Sequence, residues 1–244
     1  MTMGHRIFLA GASGAIGQRL IPQLLAAGHH VTGTTRSPDK AATLRSLGIE
    51  PVIVDVFDAE VLSRRMLAAR PDIVVHQLTD LPPGLDPSRM GEAVVRNARI
   101  REEGTRNLVA AAAASGARRM VAQSIAWAYA PGPEPHGEAD PLDSEASGNR
   151  GISVGGVIAL EKAVLNAPFA GVVLRYGQLY GPGTGTDAAA GASPVHVDAA
   201  AHAALLALEK GAPGVFNVAE PNQAVSTQKA VEELGWRADF RLPA

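Results

Sequence analysis

The stretch GASGAIG places Gly11, Gly14 and Gly17 directly after the apolar run RIFLA and at the start of a segment with helical periodicity. A turn this tight between a strand and a helix suits one kind of chemistry. The backbone can approach a pyrophosphate closely, and the free N–H groups of the helix N-terminus face its charge. Gly11 permits the turn, Gly14 the close approach and Gly17 the packing of helix on strand, with Ser13, Ala15 and Ile16 counted beside them as cofactor contacts. The alternative is a tight connection that holds no ligand. A triplet that follows the first strand and opens the first helix is the context the dinucleotide reading requires.

A second group lies in HVTGTTRSPDK, residues 30–40. An acid at the end of the second strand would bind both ribose hydroxyls of NAD. Thr35 and Arg36 stand there instead, with Lys40 about one helical turn further on. Hydroxyls and a guanidinium fork suit a phosphate, so the expected cofactor is NADP(H) in preference to NAD(H). The alternative role of Arg36 is a solvated strand end.

These residues need a scaffold, and the patterning supplies one. RIFLA, HVTGTT, EPVIVDV and DIVVHQL alternate with helical segments at 15–27, 38–47, 58–70 and 87–114. Further strands are expected near 117–124, 171–176 and 214–219, with a helix around 153–166. Strands apolar on both faces and joined by helices form a parallel sheet covered on two sides. The expected fold class is therefore α/β, a Rossmann-type doubly wound parallel sheet. Residues 1–244 form one domain in this reading, with a reduced C-terminal substrate lobe from 177–205 and 219–244. The proline-rich stretch 130–151 has no apolar periodicity and is expected to be a surface loop that closes as a lid.

Composition narrows the function classes. The chain is 46% hydrophobic and 19% charged with a net charge of −2, and it has no polybasic stretch, which argues against nucleic acid as a partner. The absence of cysteine excludes a disulfide framework, a thiolate metal site and a cysteine nucleophile. The apolar run at the N-terminus is too short for a secretory segment or a membrane span, so a cytoplasmic location without membrane association is expected.

The chain resembles the short-chain dehydrogenase/reductase superfamily, in its extended and atypical branch that includes nucleotide-sugar epimerases. The resemblance rests on GASGAIG, VDVFD (54–58), VVHQLTD (74–80), EGTRNLVAAA (103–112), VVLRYGQLYGPG (172–183) and VHVDAAAHA (195–203). It implies that Asp55 and Val56 lie by the adenine and that His76, Gln77, Leu78 and Thr79 run along the cofactor. It also implies a catalytic tyrosine four residues before a lysine. If that lysine is Lys162, the tyrosine position is occupied by Ile158, and an isoleucine cannot exchange a proton. The family's hydroxyl position is likewise Ile125, with Ser124 one residue early.

Lys162, Ser124 and Tyr176 are therefore the remaining catalytic candidates, each also a candidate cofactor contact. A packed aromatic is the other role open to Tyr176. A metal reading of His196, Asp198 and His202 is set aside because related proteins use this segment structurally, so no metal site is expected. Only residues 184–195 separate YGPG from HVD, which points to a small substrate. An oxidoreductase acting on a small carbonyl or alcohol is the leading reading. A non-catalytic dinucleotide-binding sensor or regulator, and a non-redox isomerase or lyase that retains the cofactor, remain open. Segments 87–114 and 153–166 correspond by resemblance to helices that pair in homodimers, so a homodimer is expected.

Overall fold

A computed structural model describes residues 4–82, 84 and 86–243. In chain order the strands are β1 (Arg6–Ala10), β2 (His30–Thr35), β3 (Glu50–Ile53), β4 (Ile73–His76), β5 (Arg119–Ile125), β6 (Ala170–Tyr176), β7 (Gln178–Tyr180), β8 (Pro194–His196) and β9 (Gly214–Val218). Seven of them form one sheet in the order β3-β2-β1-β4-β5-β6-β9, every neighbouring pair parallel, while β7 and β8 pair separately. The helices are α1 (Ala15–Ala26), α2 (Pro38–Ser46), α3 (Ala59–Ala69), α4 (Met90–Arg99), α5 (Thr105–Ser115), α6 (Gly148–Leu165) and α7 (Val197–Leu206).

Successive residues of a strand point to opposite faces, and both faces are covered. Ile7, Leu9, Val75, Val121 and Leu174 pack with Leu20 and Leu24 of α1 and with Ala200 and Ala204 of α7. On the other face, Phe8, Val74, Met120 and Val173 meet Leu62 and Met66 of α3, Leu108 of α5, and Leu160 and Val164 of α6. The expected C-terminal lobe thus shares the main core through α7, which Trp236 pins by donating from Nε1 to the Ala199 carbonyl at 2.8 Å. Ala244, at the end of that expected lobe, lies outside the described residues.

The sequence pattern is redrawn in three places. The helix expected over 87–114 is broken into α4 and α5 by a π turn at Ile100–Gly104, a device frequent near functional sites. Helix α6 begins at Gly148, which shortens the expected loop. That loop is docked on the sheet end: Tyr129 bridges Leu142, His136 bridges Val225, and Glu138 accepts from the Asn217 backbone N–H at 2.9 Å. Its polar groups are held by β9 and by Arg175, which donates to the Glu138 carbonyl at 3.3 Å.

Candidate functional site

Strands β1 and β4 are adjacent, yet their connections leave toward opposite faces, α1 on one and α4–α5 on the other. The C-terminal ends of parallel strands open a crevice at such a point. A cleft of about 800 Å³ lies there, and no residue of 130–147 lines it. Gly11 sits at φ +92°, and a Cβ on it would come within 2.5 Å of the Gln77 carbonyl oxygen. A Cβ on Gly17 would lie 2.3 Å from the Gly11 carbonyl oxygen, so these two glycines are demanded by the fold. Gly14 differs, because the nearest atom to a Cβ there is 3.3 Å away. Its bare Cα keeps the cleft floor open at the start of α1, whose N-terminus has no side-chain cap. Gly11, Ser13, Gly14, Ala15 and Ile16 line the cleft, and Gly17 lies behind them as a packing residue.

One half of the cleft, over β2 and β3, is polar and charged. Thr34, Thr35, Arg36, Ser37 and Lys40 line it on one wall, with Asp55, Val56 and Phe57 on the other. The Ser37 hydroxyl caps α2 by accepting from the Lys40 N–H at 3.4 Å. Arg36 is solvent-facing, and its Nη2 lies 3.9 Å from Asp80, which also pairs with Arg96 at 3.4 Å. The other half, over β4 and β5, is lined by Gln77, Leu78, Gln123, Trp127, Gln178 and Leu179. Gln123 Nε2 donates to the Leu78 carbonyl at 2.9 Å, and the Gln178 side-chain carbonyl accepts from the Ser193 N–H at 3.0 Å. Gln77 Nε2 is 3.5 Å from the Tyr176 hydroxyl, and its Oε1 is buried with no hydrogen-bond partner.

Thr35, Arg36, Asp55, Val56, Gln77 and Leu78 therefore stand on the cleft wall, whereas four other candidates do not. His76 is wholly buried, with Nε2 3.0 Å from the Thr105 hydroxyl and Nδ1 accepting from the Leu78 N–H. Burial, aided by the charge of Arg101, pushes its imidazole down to about 4. Ser124 donates to Glu161 at 2.8 Å, and Glu161 is locked to Arg175 through Oε2 at 2.7 Å. Tyr176 is 2% exposed, and burial pushes its phenol well above the usual range.

Lys162 points to solvent because a helix turns about 100° per residue, so only one of two neighbours can face the core. Here that neighbour is Glu161. Ile158 packs beside Ala128, Val154 and Val157. The cleft also holds residues that the pattern did not single out: Gln123, which follows Val121 on one face of β5, and Trp127, a large aromatic just past that strand's end.

Residues 11–148 match the family model described as NAD(P)H-binding. The chain belongs to that family. It is 40% identical over 244 residues to the 3-diazoavenalumate denitrifying reductase of a Streptomyces species, covering 91% of this chain and 78% of that protein. A shorter similarity, 44% over 71 residues, links it to the uncharacterized protein C2A9.02 of Schizosaccharomyces pombe and covers 29% of this chain and 23% of that one.

Among solved structures, UDP-glucose 4-epimerase from Thermotoga maritima with UDP-glucose superposes with a TM-score of 0.77 at 20% identity, over 96% of this chain and 94% of that one. The Bordetella bronchiseptica enzyme WbmG in complex with NAD superposes with a TM-score of 0.76 at 20% identity, over 99% and 91%. This NAD(P)-binding, reductase-like chain thus shares the fold of epimerase-type enzymes. No helix among the described residues is long and apolar enough to cross a membrane.

Proposed function

We propose that the chain is an NADP(H)-preferring reductase that directs hydride to a small acceptor without a side-chain acid. Gly14 and the uncapped start of α1 would hold the pyrophosphate, Asp55 to Phe57 the adenine side, and Arg36, Lys40 and the threonines the 2′-phosphate. When bound, the reduced dinucleotide supplies a hydride. The observation that carries the reading is the composition of the half over β4 and β5. Its lining is amides, an indole, alcohols and apolar groups, and the one carboxylate among the described residues there, Asp80, is engaged by Arg96 at 3.4 Å and Arg36 at 3.9 Å. Behind the wall, His76 faces the Thr105 hydroxyl, Glu161 is held by Ser124 and Arg175, and the buried Tyr176 hydroxyl accepts from Gln77 Nε2 at 3.5 Å.

A carbonyl acceptor would need a proton that this wall does not supply. A diazo acceptor in its aryl diazonium form needs none. Dinitrogen leaves with the C–N electron pair as the C–H bond forms, so hydride alone balances the reaction. A denitrifying reduction, the activity that the Streptomyces relative's name states, is therefore the chemistry this wall suits, and we assign that reaction class to the chain. The test is incubation with NADPH and an aryl diazonium salt. The expected result is one dinitrogen and one denitrified arene per NADPH consumed, and consumption without dinitrogen release would overturn the assignment.

The two-fold pairing expected from the helices would use α4 and α6, where Val95 and Ile152 stand 55% and 41% exposed. Sedimentation at twice the 25.2 kDa chain mass is the expected result, and a single-chain mass would remove it.

A further inference from the structure

Trp127 stands two residues past β5, 42% exposed, and lines the cleft. The chain's other tryptophan, Trp236, is 1% exposed with its N–H bonded, as a large aromatic in a folded core ordinarily is. Leu81, 46% exposed, and Met90 lie on the same wall, so a broad apolar surface is left open inside a concavity. A ring face open in a cleft gains its burial when a flat partner covers it.

A second observation concerns charge. Gln77 is 4% exposed and lines the cleft, yet its Oε1 has no partner, although buried acceptors are nearly always paired. The indole face presents negative charge density to the cleft, and the orphaned carbonyl oxygen adds to it from just beneath the wall. Among the described residues lining this half there is no lysine, arginine or histidine to oppose them.

We propose that this half of the cleft selects planar aromatic molecules that carry positive charge, the ring stacked on Trp127 and the charge held toward Gln77. The proposal rests on the reductase reading of the same cleft and adds the residues that choose the substrate. Trp127 is the specificity-determining residue, and Gln77 is the positioning residue for the charge.

The test is calorimetric and needs no turnover. The full chain is first titrated with NADP and then, saturated with it, with N-methylquinolinium and separately with quinoline, its neutral counterpart of nearly the same shape. The cation is expected to bind at least tenfold tighter, as a desolvated cation–π contact on Trp127 would give. Trp127→Ala is expected to lose at least tenfold for the cation, Trp127→Phe to keep most of the affinity, and Gln77→Leu to narrow the gap between cation and neutral ring. Melting curves of each variant confirm that it folds.

Equal binding of the two probes, or a Trp127→Ala variant that folds and binds the cation as the parent does, would overturn the inference. Those results would leave the dinucleotide reading standing. Failure of NADP to bind in the first titration would overturn both.

Discussion

The two halves of the cleft are built by different means. Over β2 and β3, the wall comes from consecutive residues at strand ends, Thr34 to Ser37 and Asp55 to Phe57, and it carries formal charge. Over β4 and β5, it is assembled from Gln77, Gln123, Trp127 and Gln178, which the sheet order brings together from distant parts of the chain, and its one carboxylate among the described lining residues, Asp80, is neutralised by Arg36 and Arg96. A charged wall made of local sequence suits a constant partner. A neutral wall gathered from several segments suits a variable one, because each segment can change without disturbing the phosphate grip.

The largest expected effect separates fold from grip within the glycine turn. Gly17→Ala forces a Cβ to 2.3 Å from a backbone oxygen and is expected to cost more than about 3 kcal/mol of stability, read from chemical denaturation. Gly14→Ala meets its nearest atom at 3.3 Å, so it is expected to change stability by less than about 1 kcal/mol while weakening dinucleotide binding about tenfold or more. Equal destabilisation by the two would erase the distinction. Next, Arg36→Ala is expected to weaken NADPH binding by roughly 10- to 100-fold and to leave NADH within about twofold, as loss of a charge-assisted phosphate contact predicts. Calorimetry with both cofactors decides this, and equal losses would return Arg36 to the role of a solvated strand end.

His76 sharpens the boundary of the neutral half. Its imidazole is held down at about 4 by burial, against 6.5 when free, so the native state refuses a proton that the unfolded chain accepts. Stability from this group is complete above pH 6.5 and is lost progressively as pH falls toward about 4, on the order of 3 kcal/mol in all. A ring resonance that titrates near 6.5 in the folded protein would contradict the burial. The smallest expected effects belong to Tyr176→Phe and Lys162→Ala. Each is expected to change the rate of diazonium reduction by less than about threefold, because neither side chain lines the cleft. A loss near a hundredfold in either would break the account of the neutral half.

What the sequence made legible follows the same division. The glycine spacing and the Thr35–Arg36 pair are local, and a strand-turn-helix presents them wherever the rest of the chain goes. The alternation of apolar runs and helical periods was enough for a parallel sheet, since the central strands bury both faces. The three catalytic candidates stand off the cleft wall for geometric reasons that no local pattern carries. Lys162 is one residue off the buried face of α6, Ser124 is engaged by Glu161 from the same helix, and Tyr176 lies under the cleft rather than in it. Gln123 and Trp127 are ordinary residues in sequence, and their place on the wall depends on β5 lying beside β4.

The claim that stands or falls first is that this reaction needs no proton from the protein. The measurement is the single-turnover rate of NADPH oxidation by an aryl diazonium salt and by the matching aromatic aldehyde, each followed between about pH 6 and 8. The account predicts a flat profile for the diazonium, with dinitrogen released one for one, and aldehyde turnover at least a hundredfold slower. Aldehyde reduction at a comparable rate, with a limb that rises toward acid, would show a proton donor at work in the cleft and would contradict it.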